Sequence, residues 1–242
     1  MNLIIDAGNT KIKLAIFRKK TLVHDEAVDQ NTFLDAVKNI FKRYPNINRA
    51  IVSNVGILAE ENVKVISVFC KVHSLSSQSK IPYKNSYTSP QTLGVDRMAL
   101  VTAAYYRAPH SNTLVIDAGS CITYDIINDF DEYLGGAISP GIQMRYTAMH
   151  EHTANLPSLQ KKEVLDYIGN STENCMHSGV INGITNEIDG VINQYKSRFK
   201  DLTVILTGGD AQFLSKRLKN TIFADSKFLL KGLNYLLEYN KH

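Results

Sequence analysis

The chain has 242 residues, of which 44% are hydrophobic and 21% charged, as is typical of a globular protein with enough chain for two modest lobes. Its net charge of +4 is dispersed in short pairs such as Lys19-Lys20 without interleaved aromatic residues, which argues against a nucleic-acid-binding protein. The three cysteines form no metal-binding pair, and no apolar run reaches the roughly 20 residues of a membrane helix, so we expect a cytoplasmic protein without membrane contact.

Apolar runs and helical spacings alternate along the first half and predict strands and helices in turn. In chain order the predicted elements are strands at 3–5 and 12–17, strand-like sequence to about residue 27, a helix at 33–41, strands at 50–52 and 72–75 flanking a helix at 58–69, and a helix at 94–106. The segment from 76 to 92 is rich in Ser, Pro, Asn and Tyr and is therefore predicted to be a loop.

The second half repeats this scheme. Its predicted elements are strands at 113–117, 121–127 and 133–139, a helix beginning after Pro140-Gly141, a long helix at 172–199, a strand at 204–206 and a helix at 228–237. In the long helix, apolar side chains recur at four-residue steps, which is typical of core or subunit packing. These side chains are Val180, Ile184, Ile188 and Ile192.

A short motif occurs once in each half. Asp6-Ala7-Gly8-Asn9-Thr10 follows the apolar run Leu3-Ile4-Ile5, and Asp117-Ala118-Gly119-Ser120 follows Leu114-Val115-Ile116. Each copy leads into a second apolar stretch, so it predicts two strands joined by a tight turn, with a carboxylate at the end of the first strand. Glycine lets backbone amides and a hydroxyl approach a phosphate closely, and an aspartate in such a turn would act through a cation.

One copy alone would be interpreted more simply as an ordinary β-hairpin. The recurrence of carboxylate, glycine and hydroxyl after the same kind of strand favours a nucleotide and its metal held between two similar lobes. The sequence therefore predicts a duplicated α/β architecture, with lobes at 1–112 and 113–242 and a cleft between them.

The motifs together resemble those of a known family. In chain order they are Asp6-x-Gly-Asn-Thr10, Leu93-Gly94-Val95-Asp96-Arg97, Asp117-x-Gly-Ser120, Gly135-Gly136-Ala137-Ile138-Ser139-Pro140-Gly141 and Thr207-Gly208-Gly209. Their order and spacing resemble type III pantothenate kinase, a member of the actin-like superfamily of acetate and sugar kinases, from Met1 to about residue 211. The resemblance implies an α/β fold of duplicated ribonuclease H-like (actin-like) lobes with an interdomain nucleotide cleft.

The resemblance also implies a function, which is ATP-dependent phosphorylation of pantothenate in coenzyme A biosynthesis by a homodimer that uses Mg²⁺ and a monovalent cation, K⁺ or NH₄⁺. Asp6 would act on Mg²⁺ through water, and Asp117 matches the monovalent-cation ligand. Ser120 matches an ATP-binding hydroxyl that is usually a threonine in the family, and serine keeps the oxygen. The first ATP loop would comprise Asp6, Ala7, Gly8, Asn9, Thr10, Lys11, Ile12 and Lys13.

The residues that the resemblance assigns to pantothenate are Tyr87, Gly94, Val95, Asp96, Arg97 and Thr172. Asp96 matches the general base that takes the proton of the substrate hydroxyl, and the N-terminal dipole of its predicted helix would hold it ionised. Arg97 could fork onto the pantothenate carboxylate. Thr172 matches a threonine that, in the family, reaches the substrate from the partner subunit.

Structural interpretations stay open for several of these residues. Lys13 alone is consistent with a solvated strand lysine, and Asp96 alone with a helix cap. Tyr87 is also consistent with a surface tyrosine, and Thr172 with a helix N-terminus. The turn Thr207-Gly208-Gly209, which resembles the adenosine side of the superfamily, is also consistent with a plain strand-to-helix connection.

Two other functions stay open as well. One is a different actin-like phosphotransferase, which would act on acetate, a sugar or polyphosphate, or an ATPase. The other is a non-catalytic nucleotide-binding accessory factor for transcription. The presence of Asp6, Asp96, Arg97 and Asp117 argues against a chain that has lost catalysis, because a degenerate kinase need not keep them.

Overall fold

The computed structural model describes residues 1–8, 11–54, 58–164 and 166–241, and the chain divides into two units. The first unit comprises Met1–Pro109 and Lys227–His242, and the second comprises His110–Ser226. The division near residue 110 is close to the predicted lobe boundary. The final segment differs from the prediction, which assigns it to the second lobe, because its helix packs within the first unit.

The first unit is built on a sheet whose central strand is β1. In chain order its elements up to residue 107 are β1 (Asn2–Ala7), β2 (Ile12–Arg18), β3 (Thr21–Val28), α1 (Phe33–Arg43), β4 (Arg49–Asn54), α2 (Glu60–Phe69), β5 (Lys71–Ser74), the short β6 (Lys84–Asn85) and α3 (Val95–Arg107). The strand order is β3-β2-β1-β4-β5, with β1 antiparallel to β2 and parallel to β4. β1 is buried along its whole length, which accounts for its nearly continuous apolar sequence.

The second unit repeats this arrangement. Its elements are β7 (Thr113–Ala118), β8 (Cys121–Ile127), β9 (Glu132–Pro140), α4 (Ile142–Glu151), α5 (Thr172–Arg198), β10 (Thr203–Thr207), α6 (Ala211–Ser215) and β11 (Phe223–Ala224). These strands follow the order β9-β8-β7-β10-β11, with β7 antiparallel to β8 and parallel to β10. Since β7 is related to its neighbours as β1 is to β2 and β4, the predicted duplication of an α/β lobe is confirmed.

The last helix, α7 (Phe228–Tyr239), completes the first unit. Four of its leucines pack in a buried cluster with Ile4 and Ile51 of the first sheet. Asn234 is 1% exposed, and its side chain accepts a hydrogen bond from Asn2 Nδ2 at 2.8 Å and donates one to the Lys19 carbonyl oxygen at 2.8 Å. The apolar spacing of α7 predicts a helix but carries no signal of which sheet the helix covers.

The apolar stripe of α5 lies in the core of the second unit. Its members Val180, Ile184, Ile188 and Ile192 are all buried. The core-packing interpretation is therefore confirmed, and these side chains do not supply a contact with another subunit. Although α5 has 27 residues, neither it nor any other helix of the described ranges combines the length and apolarity that crossing a membrane requires.

Three short elements of the structure are absent from the prediction. β6 and β11 have two residues each and α6 has five, which is too short for an apolar period to be recognised. In addition, α2 begins at Glu60, two positions after the predicted start at Leu58. Leu58 is buried in the core of the first unit although it lies outside the helix.

Gly232 provides a test of the packing between α3 and α7. A Cβ atom at this position would lie 1.9 Å from the Ala99 carbonyl oxygen, so Gly232→Ala must push the two helices apart. We expect a loss of about 1–3 kcal/mol of unfolding free energy, measured by urea denaturation. Gly190→Ala is the control, because nothing lies within 4 Å of its Cβ position, and a helical alanine there should be neutral or stabilising. Equal stability of the two variants would contradict this account of α7.

Candidate active site

Asp6 lies near the end of β1 in a row of polar side chains. Its register partners are Lys13 on β2 and Ser53 on β4. Only 6% of Asp6 is exposed, and its Oδ2 atom lies 3.9 Å from Lys13 Nζ. The carboxylate is therefore removed from bulk water and has one nearby cation on the neighbouring strand.

The surroundings of Asp6 raise the pKa of its carboxyl group. Burial, the largest effect, raises the pKa of Asp6, and the negative charge of Asp96 raises it further, whereas Lys13 and the Ser53 hydroxyl lower it. The result is a pKa of about 6. Two of the predicted site carboxylates are thus close enough to interact, and the lysine does not fully compensate the buried charge.

Asp96 lies in the first turn of α3, after Gly94 at the N-cap and Val95 at the first helical position. Its Oδ1 atom accepts a hydrogen bond from the Arg97 backbone N–H at 2.8 Å. The side chain therefore satisfies one of the unpaired amides of the helix start, but from inside the helix, because the N-cap residue itself is Gly94. The capping contact and the electrostatic interaction with Asp6 are both present, so the two interpretations of Asp96 do not exclude each other.

Arg97 and Tyr87 are brought together although they belong to a helix and a loop. Arg97 is 5% exposed, and its guanidinium carbon lies 5.5 Å from the centroid of the Tyr87 ring. A guanidinium over an aromatic face at this distance is a cation–π contact. The backbone N–H of Tyr87 also donates to Asn85 Oδ1 at 3.0 Å, which fixes the loop next to β6.

Two members of the predicted ATP loop lie in the core. Ala7 and Ile12 are fully buried, and they face each other at the two ends of the turn. Their side chains cannot reach a ligand, so any contact that they make with a nucleotide must come from the backbone.

Gly8 and Lys11 of the same turn are less tightly packed than Ala7 and Ile12. A Cβ atom on Gly8 would lie 3.5 Å from the Lys11 carbonyl oxygen, which is an ordinary contact. The side chain of Lys11 is 55% exposed, and its Nζ atom lies 3.7 Å from Asp29 Oδ1. The predicted ligands Asn9-Thr10 lie outside the described residues.

In the second unit, the turn that follows Asp117 is held by backbone contacts. The Asp210 backbone N–H donates to the Ala118 carbonyl oxygen at 2.9 Å. Gly208 has a φ of +97°, and a Cβ atom there would lie 2.4 Å from Asp117 Oδ1. Only glycine permits this backbone conformation and this close approach together, so the glycine turn after β10 packs directly against the turn that carries Asp117.

The exposed Ser120 is fixed from the other side by the junction of β9 and α4. The Gly141 backbone N–H donates to the Ser120 carbonyl oxygen at 3.0 Å, and a Cβ atom on Gly141 would lie 2.2 Å from the Gly119 carbonyl oxygen. Arg145 Nε in turn donates to the Pro140 carbonyl oxygen at 3.0 Å. The Pro140-Gly141 pair is therefore part of the wall that shapes the second turn.

A partly buried ion pair supports this wall. Arg145 Nη2 lies 2.5 Å from Glu187 Oε2, and Glu187 also accepts a hydrogen bond from Tyr124 at 3.1 Å. Although burial favours the neutral acid, the hydrogen bonds from Arg145 and Ser139 hold the pKa of Glu187 below its ordinary value. Neither Arg145 nor Glu187 is predicted from the sequence, because one arginine and one glutamate on separate helices leave no local pattern.

Thr172 belongs to the second unit, whereas the other residues predicted to bind pantothenate belong to the first. It is the exposed first residue of α5, and the helix is capped by Ser171, whose Oγ atom accepts from the Asn174 backbone N–H at 3.2 Å. A cavity of about 350 Å³ adjoins this end of the helix and is lined in part by Asn170, Asn174 and His177.

Comparison with known sequences gives matches over the full length of the chain. The family described as type III pantothenate kinase matches residues 2–194. A type III pantothenate kinase from Christiangramia forsetii is 47% identical over 241 residues, which cover 100% of this chain and 99% of that protein. One from Bacteroides fragilis is 41% identical over 245 residues and covers 99% of this chain and 98% of that protein.

Solved structures show the same fold at lower identity. A protein from Campylobacter jejuni, described as a Baf-family transcriptional activator, matches with a TM-score of 0.66 at 24% identity and covers 99% of this chain and 98% of its own. A glucokinase from an Antarctic psychrotroph matches with a TM-score of 0.53 at 13% identity and covers 98% of both chains. At these identities the likeness shows a shared sugar-kinase-like fold of two lobes.

The raised pKa of Asp6 predicts a dependence of stability on pH. Because the folded pKa of about 6 lies above the ordinary value of 3.8, the contribution of Asp6 to stability is fully present below pH 3.8 and is lost as the pH rises through 6. Asp6→Asn should therefore stabilise the protein at pH 8 by about 1–3 kcal/mol relative to the parent, and by clearly less at pH 5. The measurement is urea unfolding without nucleotide or divalent cations.

Asp29→Asn is the matched control, since this carboxylate is 70% exposed and lies 3.7 Å from the ammonium of Lys11, which belongs to the turn after Asp6. Its unfolding free energy should change little, and equally at both pH values. An Asp6→Asn variant that is destabilised at pH 8, or whose effect does not vary with pH, would contradict the electrostatic balance described for Asp6.

Proposed function

Since this chain belongs to the type III pantothenate kinase family, we propose that it uses ATP to phosphorylate the primary hydroxyl of pantothenate. The product is 4′-phosphopantothenate, and the reaction is the first step of coenzyme A biosynthesis. The observation that carries the proposal is the grouping of Asp6, Asp96, Arg97 and Tyr87 in the first unit. Phosphoryl transfer asks the protein mainly to orient the two reactants and to stabilise charge, and these side chains are suited to both tasks.

Asp96 is the proposed general base. It lies in the first turn of α3, where the helix dipole stabilises a carboxylate. In a loose transition state the hydroxyl proton moves late, so orientation of the hydroxyl matters more than the strength of the base. A carboxylate fixed by a backbone N–H hydrogen bond can provide that orientation.

Arg97 is proposed to bind the pantothenate carboxylate. Its guanidinium is buried and lies over the Tyr87 ring, so little side-chain freedom remains to be lost when a carboxylate is bound by the two-pronged fork. Tyr87 is proposed to contact the substrate directly, together with the backbone of Gly94 and Val95 at the start of α3.

The Asp6 to Lys13 turn and Ser120 are proposed to bind ATP, with Asp6 holding Mg²⁺ through water. The residues fit such an ion, because Asp6 is buried near a second carboxylate, Asp96, and the Lys13 ammonium at 3.9 Å does not fully compensate its charge. Mg²⁺ often binds through one or two carboxylates together with waters and phosphates. The described residues hold no cluster of three or more metal-binding side chains, and this mode of binding requires none. Bound Mg²⁺ would neutralise charge on the phosphates.

The monovalent cation, K⁺ or NH₄⁺, is proposed to bind at Asp117. Thr172 is proposed to reach the pantothenate of the partner subunit in a homodimer, which its exposed position at the start of α5 permits. We also propose a cytoplasmic location, where ATP is made and where the three cysteines would stay reduced.

The function is tested by incubating the protein with ATP, Mg²⁺ and KCl against pantothenate, acetate, glucose and N-acetylmannosamine, with products identified by mass spectrometry. We expect 4′-phosphopantothenate and no phosphorylation of the other acceptors. Turnover of another acceptor without pantothenate would assign a different actin-like phosphotransferase. Nucleotide binding without any turnover would instead support the non-catalytic accessory factor.

Asp96→Asn tests the proposed base. The amide keeps the size of the side chain but cannot accept a proton, so we expect kcat to fall by about 10²–10⁴-fold, with the KM for ATP nearly unchanged. Asp35→Asn is the matched control, because Asp35 also lies in the first turn of a helix but is exposed. It should keep full activity. An Asp96→Asn enzyme with parental kcat would remove Asp96 from the mechanism.

A further inference from the structure

Each unit presents an aspartate between two polar register partners at the end of its central strand. Directly opposed residues on neighbouring strands project from the same face of a sheet. The two rows are Lys13, Asp6 and Ser53 in the first unit, and Thr123, Asp117 and Thr207 in the second. The rows match closely, because in both units the register partner of the aspartate on the parallel strand is a hydroxyl residue.

The two rows differ at one position, which is the residue on the antiparallel strand. The first turn is closed by the pair Ala7 and Ile12, and the second by Ala118 and Ile122, so the second turn is one residue shorter. For this reason the correspondence between Lys13 and Thr123 follows from the strand register rather than from the spacing of the motif.

The difference changes the charge at the aspartate. In the first unit the Lys13 ammonium lies 3.9 Å from Asp6 and lowers its pKa. In the second unit a neutral threonine occupies the equivalent place beside Asp117. On the antiparallel strand, the second row therefore has a neutral hydroxyl where the first row has an ammonium.

The Thr123 hydroxyl belongs to a small set of buried side-chain groups that lack a hydrogen-bond partner among the described residues, and this set also includes the Ser53 hydroxyl of the first row. Leaving a buried hydroxyl unsatisfied is unfavourable, and such orphaned groups in native proteins often mark an ion or a water. An uncharged oxygen next to a carboxylate is a suitable ligand for a monovalent cation, since alkali cations prefer oxygen ligands.

We propose that Thr123 is a ligand, together with Asp117, of the monovalent cation, and that the ion lies where the register places the Lys13 ammonium in the first unit. The inference rests on the proposed function for the identity of the ion, but the position of Thr123 and its buried hydroxyl are independent of it. It follows that a lysine at position 123 should act as a tethered replacement for the ion.

Four variants test the proposal. Thr123→Val removes the hydroxyl with little change of volume, whereas Thr123→Ser keeps it. Thr123→Lys introduces an ammonium group like that of Lys13. Thr185→Val is the control, because it also removes a buried hydroxyl in the same unit, but one that donates to the Ile181 carbonyl oxygen of its own helix at 2.8 Å.

The measurement is the rise in melting temperature of the full-length protein with bound ADP and Mg²⁺ as KCl replaces tetramethylammonium chloride at constant ionic strength. The quantity compared is the KCl concentration that gives half of the full rise in melting temperature. We expect this concentration to be at least about tenfold higher in Thr123→Val than in the parent. In Thr123→Ser and Thr185→Val it should stay within about threefold of the parent. Thr123→Lys should show no response to KCl and should phosphorylate pantothenate equally well with and without it.

Asp117→Asn separates this inference from the proposed function. If Asp117→Asn abolishes the response to KCl but Thr123→Val responds like the parent, the inference for Thr123 is wrong while the cation site at Asp117 stands. A Thr123→Lys enzyme that folds and still requires KCl would also overturn it. If Thr123→Lys does not fold, the comparison of Thr123→Val with Thr123→Ser decides, because a purely structural hydroxyl would change the melting temperature without changing half-saturation.

Discussion

Asp6 lies near the end of the central strand of the first sheet, where burial penalises its negative charge. The neighbouring strands offset part of that penalty with Lys13 and Ser53, while Asp96 at the start of α3 adds to it. A fold selected for stability alone would not bring two carboxylates together in this way. The first unit therefore carries an electrostatic imbalance at Asp6, which a bound divalent cation would relieve.

The duplicated sheets show how one architecture can support different chemistry in its two copies. Strand order and direction are the same in both units, so both aspartates lie at the carboxyl end of the central strand of their sheet. What differs is the side chain beside each aspartate and the way in which each turn is closed. In the second unit, Gly208 and Gly141 press backbone against the turn. The second turn is thus fixed mainly by close packing, whereas the first has a charged neighbour within 4 Å of its aspartate.

Much of the fold follows from the sequence, because apolar periodicity is a local property. The strands that precede both aspartates and the helix at Asp96 lie close to where they are predicted, and the sequence also identifies the residues that the first unit brings together. Non-local features are different in kind. The placement of α7 depends on Asn234 meeting Asn2, and the support of the second turn depends on Arg145 meeting Glu187. Partners far apart in the chain leave no mark on the spacing of either segment.

The last helix pairs with the first strand, since Asn2 donates to both Asn234 and Glu238. During synthesis on the ribosome, β1 emerges long before α7. The sheet of the first unit consequently keeps apolar surface uncovered until α7 has been made, while His110–Ser226 is one continuous segment and can assemble beforehand. The lobe that comes second along the chain is therefore the first to be finished, and the nascent polypeptide must protect its own N-terminal strands from aggregation in the meantime.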